Sequence, residues 1–153
     1  DWGQQADFRS LTIHCLPSQH WSKRTLTDNN RALWASWAVT SPKRRIYYAG
    51  DSGYFPGFTE IGDQLGPFDL AIVPIGAYAP RAMMFESHMN PEEAYRSATD
   101  VGASKALGVH FGTFDLSDEP LAEPPRRFLN ASSNAPAAAP SPWIFKIGET
   151  RGF

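Results

Sequence analysis

"IYYAGDSGY", Ile46 to Tyr54, decides how this 153-residue chain is read. A β-branched and aromatic run of this kind predicts a buried strand. Its abrupt end puts Asp51 on a turn, where Gly50 and Gly53 can take backbone angles and close approaches that other residues resist. A strand that stops at a metal-competent side chain suits a layered α/β fold. There the sheet fixes the backbone and the loops at the strand ends converge on a site.

Outward from this stretch the chain alternates short strands and helices. Phe8–Cys15, with Leu11, Ile13 and Cys15 at period two, predicts a strand, as do Leu33–Thr40 and Arg45–Ala49. Phe55–Leu65 predicts a short helix closed by Gly66-Pro67. "FDLAIVPI", Phe68 to Ile75, is almost continuously apolar and predicts a strand buried on both faces. A helix is expected to start at Asn90-Pro91-Glu92-Glu93, with Asn90 as cap, Pro91 in the first turn and Glu93 reaching back. Ala94, Tyr95, Ala98 and Val101 give it an apolar stripe, and Gly102 ends it. Ala106–Val109 and Trp143–Ile147 complete the strands, and residues 130–142 ("NASSNAPAAAPSP") predict a flexible Ala/Pro/Ser loop with little means of packing. Residues 1–153 are expected to form a single domain.

Composition narrows the partners. A net charge of −2, a pI near 6.1 and no basic run longer than Lys43-Arg44-Arg45 argue against nucleic acid. The single Cys15 rules out an intrachain disulfide, and no stretch approaches the ~18 apolar residues of a membrane span. An intracellular or peripheral membrane location is expected. With Asp at position 1 and strand-like sequence at once, the chain is expected to begin inside a longer protein.

Three metal-competent side chains fall at strand ends. Asp51 follows "RIYYAG", His110 follows "KALGV", and His20 lies in "LPSQHW" after the first strand. Imidazole and carboxylate suit zinc, and an aspartate between two ions can donate an oxygen to each. Each residue alone is a weak signal, Asp51 by itself reading more often as a turn residue than as a ligand; the set carries the reading. His14 lies within a strand, opposite Ile13 and Cys15, and reads as structural. His88, just before the Asn90 cap, reads as either a loop histidine or a site residue.

Four blocks, in order, point to a family: "PSQHWSKRTLTDNNRALWASW", "YYAGDSGYFPGFTEIGDQLGPFDLAIVPIGAY", "ESHMNPEEA" and "GVHFGTFDLSDEPLAEPP". They resemble the C-terminal half of the N-acyl-phosphatidylethanolamine-hydrolysing phospholipase D family, in the metallo-β-lactamase superfamily. The resemblance implies one half of a four-layer αββα sandwich with a dinuclear zinc site. It implies a phosphodiesterase that releases phosphatidic acid and an N-acylethanolamine from a phospholipid substrate. It makes His20 a ligand of the first zinc, Asp51 the bridging ligand and His110 a ligand of the second, with Asp51 and His88 as catalytic residues and His88 near the phosphate. Arg81 with Met83, Met84 and Phe85 would line a lipid-facing loop in peripheral contact with a membrane, or else form a buried apolar cluster beside a surface arginine.

One departure stands out. The superfamily's HxHxDH motif is absent: the four histidines, His14, His20, His88 and His110, form no H-x-H. Because zinc takes about four donors, this chain by itself is expected to hold one zinc or none and to be inactive. A chain supplying mainly one sheet of a sandwich is also expected to leave an apolar face uncovered, requiring a homo-oligomer or a missing N-terminal half. The alternative function is a non-catalytic metal-binding or assembly domain.

Overall fold

In the computed structural model, which describes residues 1–153, the strands form one seven-stranded sheet in sequential order. β1 (Gln5–Phe8), β2 (Leu11–Leu16), β3 (Ser36–Thr40) and β4 (Arg45–Tyr48) pair antiparallel. From β4 onward, β5 (Leu70–Pro74), β6 (Lys105–Val109) and β7 (Ser141–Trp143) pair parallel. The connections explain the switch. Tight turns suffice between antiparallel neighbours, whereas parallel neighbours need a crossover. α1 (Gly57–Leu65) crosses from β4 to β5, α2 (Arg81–Met84) and α3 (Pro91–Asp100) from β5 to β6, and α4 (Glu123–Ala131) from β6 to β7. Right-handed crossovers repeated in one direction place their helices on one face.

That face holds the core. Ala38, Tyr47, Ala71, Val73 and Ala106 of the sheet are buried with Phe58 and Ile61 of α1, Ala94, Ala98 and Val101 at α3, and Phe128 of α4. Alanines on both sides let α3 approach the sheet closely, and the rings of Tyr47, Phe58 and Phe68 fill the space beside it. α3 begins as the sequence predicts: the Asn90 side chain accepts the Glu93 N–H at 2.8 Å, and the Glu93 carboxylate accepts the Asn90 N–H at 3.1 Å. No helix is long and apolar enough to cross a membrane.

The opposite face lies open. Strand register places Cys15, Trp37, Tyr48, Ile72, Leu107 and Trp143 in one row across it. Ile13, Val39, Ile46 and Leu70 form the next row. Trp37 and Tyr48 are 41% and 46% exposed, and a trough of about 780 Å³ runs along Ala6, Ile13, Cys15, Leu33 and Trp37. β5 is buried along most of its length, as its apolar run predicts: on the open side Leu70 and Pro74 are covered, and Ile72 alone is partly exposed.

Other elements differ from expectation. Phe8–Cys15 is not one strand: the chain turns at Arg9-Ser10, with Arg9 at φ 57°, and folds back as a hairpin. β3 starts only at Ser36, β7 ends at Trp143, α2 lies in a stretch read as a loop, and α4 lies mostly where no element is predicted. Residues 130–142 do pack. Ala131, Ala135 and Ala139 lie against the core, and the Pro140 carbonyl accepts the Tyr95 hydroxyl at 2.8 Å. Small side chains carry too little apolar pattern to be legible, yet they fit a shallow seat.

The two faces should respond oppositely to substitution. Phe58→Ala, on the covered face, is expected to cost about 3–5 kcal/mol in urea unfolding. Trp37→Thr combined with Tyr48→Thr should sharply reduce anilinonaphthalene sulfonate binding while shifting the melting temperature by less than about 4 °C. Equal dye binding in parent and double variant would show that the dye reads another surface.

Candidate metal centre

Because β4, β5 and β6 are parallel, their C-terminal ends share one edge of the sheet, and β2, aligned with β4 through β3, ends there too. His20, Asp51 and His110 leave this edge shortly after β2, β4 and β6. His110 takes φ 60°, a left-handed conformation uncommon for a residue with a side chain. Its Nε2 lies 3.4 Å from Asp51 Oδ1. His88 stands between the other two histidines, its ring centroid 5.2 Å from that of His20 and 5.7 Å from that of His110. The four residues singled out from the sequence thus come together, while His14 stays apart, its Nε2 3.1 Å from the Thr40 hydroxyl.

His20 has the orientation that a metal ligand needs. Its Nδ1 lies 2.7 Å from the Trp21 carbonyl, an acceptor only, so the proton resides on Nδ1 and Nε2 keeps a free lone pair. That Nε2 is buried without a partner, as is His88 Nδ1. Burial, with the neighbouring His20 second, holds the His88 pKa below the usual imidazole value and favours a neutral ring. Two orphaned imidazole nitrogens beside a carboxylate fit a cation in donor chemistry. The fit in number is incomplete, since no three His, Cys, Asp or Glu side chains are drawn into a closed ligand set.

Residues missed in the sequence hold the cluster. Ser52, fully buried, accepts the Gln19 N–H on its hydroxyl at 2.9 Å, and its carbonyl accepts the Met89 N–H at 3.0 Å. One residue beside Asp51 thereby ties down the loops of both His20 and His88. A side chain on Gly53 would stand 2.4 Å from the Glu86 carbonyl, so that approach requires glycine. Arg81 is not a free surface arginine: it donates to the His88 carbonyl at 2.6 Å and to the Glu93 carboxylate at 2.6 Å. Nor do its neighbours form a buried cluster, Met83 being 78% and Phe85 49% exposed. Glu119, 8% exposed, accepts the N–H groups of Ala77 at 2.6 Å and Ala79 at 3.0 Å and the Ser117 hydroxyl at 2.8 Å. No residue pattern separates Glu119 from the other acids of "SDEPLAEPP", because its role depends on a loop forty residues earlier.

Comparison with known proteins gives the family and the fold. Residues 1–111 match the β-lactamase superfamily domain. The chain is 45% identical over 121 residues to N-acyl-phosphatidylethanolamine-hydrolyzing phospholipase D 1 of Caenorhabditis elegans, covering 76% of this chain and 34% of that one. It is 40% identical over 115 residues to the mitochondrial enzyme of the same name from Saccharomyces cerevisiae, covering 73% and 25%. An uncharacterized protein of Mycobacterium tuberculosis is 47% identical over 135 residues, or 86% of this chain and 36% of that one. The chain thus spans between a quarter and about a third of the length of these relatives. A metallo hydrolase from Ignicoccus hospitalis shares the fold with a TM-score of 0.73 at 21% identity, over 97% of this chain and 57% of that one.

Two outcomes follow from the geometry. Since the folded-state pKa of His88 lies below the ordinary 6.5, the unfolded chain takes the proton first. Stability of the metal-free protein is therefore retained above about pH 6.5 and falls as pH drops from there towards the folded value. His88→Gln should flatten that segment of a urea-midpoint profile; an unchanged slope would assign it to another group. Arg81→Ala should cost about 1–2 kcal/mol and shift the His88 ring resonances in an NMR spectrum, whereas Arg127→Ala, distant from His88 in the hydrogen-bond network, should leave them in place.

Proposed function

Because this chain belongs to the metallo-β-lactamase superfamily and resembles its N-acyl-phosphatidylethanolamine-hydrolysing members, we propose that it carries part of a zinc-dependent phosphodiesterase site acting on such phospholipids. The observation that carries the proposal is the convergence of His20, Asp51, His88 and His110 on one sheet edge, with the buried lone pair of His20 Nε2 fixed by Trp21. His20 would hold one ion, His110 another, and Asp51 would bridge. Bound zinc would supply Lewis acidity towards a phosphoryl oxygen and acidify water. His88, neutral and held by Arg81 through its backbone, would donate a hydrogen bond to the phosphate.

These three ligands do not complete two tetrahedral sites, and the activity named for the worm and yeast relatives belongs to proteins of which this chain covers only 34% and 25%. The open apolar face favours a second reading for the 153 residues alone, an assembly domain that pairs with another copy or with further chain. Metal and assembly are separable in one experiment. Zinc content should be measured after loading on protein of known oligomeric state, followed by release of phosphatidic acid from N-acyl-phosphatidylethanolamine in mixed micelles.

Asp51→Asn should weaken zinc binding at least about tenfold without changing the melting temperature of the metal-free chain. Equal affinity in parent and variant would remove Asp51 from the site. Zinc near two per chain in an oligomer, with turnover, supports the enzyme reading; none bound supports the assembly reading.

A further inference from the structure

A cavity of about 330 Å³ adjoins the cluster and shares His110 with it. Its walls are Phe111, Phe114, Leu116, Leu121 and Pro124, closed on one side by the Gly76-Ala77 turn. We propose that it receives a single hydrocarbon chain of the ligand whose phosphate sits at the Asp51–His110 cluster, a proposal that rests on the phosphodiesterase reading above. The lining decides the ligand chemistry. The carboxylate within it, Glu119, is already engaged by two backbone N–H groups and the Ser117 hydroxyl, so it offers no free anchor to a cationic headgroup and repels an anionic one. Apart from Thr113 and His110, the remaining side chains of the wall are apolar. The volume lies at the lower end of the ~300–1,000 Å³ typical of ligand sites, which suits one chain rather than the paired chains of a diacyl lipid. His110 forms part of the cavity wall and its Nε2 lies 3.4 Å from Asp51 Oδ1, so a chain in the cavity lies within a few bonds of a group at the cluster. Phe114 and Leu116, 72% and 77% exposed, stand at the mouth as an apolar entry.

The test is calorimetric titration of the zinc-loaded chain with n-alkylphosphonates from methyl to decyl, kept below their micelle concentrations. Each added methylene is expected to tighten binding about three- to fourfold until the cavity fills. Leu121→Trp, which occupies the cavity, should abolish that increment while leaving methylphosphonate affinity unchanged; retained methylphosphonate binding also shows that the variant has folded. If methylphosphonate binds the parent and lengthening the chain changes nothing, the cavity assignment is overturned and the phosphodiesterase reading stands. If no phosphonate of any length binds, the phosphodiesterase reading fails, and the chain assignment with it. A gain with length that persists in Leu121→Trp overturns the assignment to this cavity.

Discussion

The parallel register of β4, β5 and β6 is the constraint on which the candidate site depends. Adjacent strands lie about 4.8 Å apart, so residues leaving β4 and β6 are separated by the width of one intervening strand. Side chains as short as aspartate and histidine meet across that gap only where the intervening strand's exit leaves room. Gly76 leaves it: the His110 backbone passes so close that a β-carbon there would stand 2.2 Å from the His110 carbonyl. The pairing of Asp51 with His110 thus follows from strand order, register and one missing side chain. The hand of the crossovers enters too. By placing α1, α3 and α4 on one face, it leaves the C-terminal edge to loops and the single-turn helix α2.

Loops at such an edge are held by polar residues that serve backbone groups. Ser52 joins the loops of His20 and His88, Arg81 joins the His88 carbonyl to the start of α3, and Glu119 gathers the Ala77–Ala79 turn. Burying a carboxylate such as Glu119 is costly unless its lone pairs are met. Here three donors meet them, and the charge is spread over short, charge-assisted bonds. Arg81 and Glu93 illustrate economy of a related kind. Glu93 closes the capping box of α3 and also receives the arginine that holds His88, so helix initiation and ring placement share one carboxylate.

What could be read beforehand was what depends on local pattern. The run into Asp51, the capping box at Asn90 and the strand ending at His110 are each written within ten residues. Their convergence became legible through strand ends, because a sheet edge is where separate strands are obliged to meet. Ser52 and Glu119 were illegible for the opposite reason. Their partners lie 33 and about 40 residues away, and no short-range signal marks a serine or glutamate as a backbone anchor. The hairpin at Arg9-Ser10 escaped because alternation persists through Leu11, Ile13 and Cys15, and a tight turn leaves that period nearly intact. α4, with two prolines in its first turn and few apolar residues, has its pattern only once Phe128 finds the core.

The open face and the incomplete ligand set are two aspects of one geometry. The row of Tyr48, Ile72 and Leu107 crosses the sheet three residues before Asp51 on one side and three before His110 on the other. A second layer packed on that row would sit about 10 Å above the sheet, and the loops at its rim would overhang the edge where Asp51 and His110 emerge. Burial of Trp37 and Tyr48 would provide the driving force through apolar area, and the overhanging loops would be the ones placed to supply further donors. Coverage of the apolar face and completion of the proposed metal centre would therefore be coupled in this fold. Whatever packs against the sheet determines, by where its loops end, whether His20, Asp51 and His110 act as part of a catalytic site or remain an isolated donor cluster.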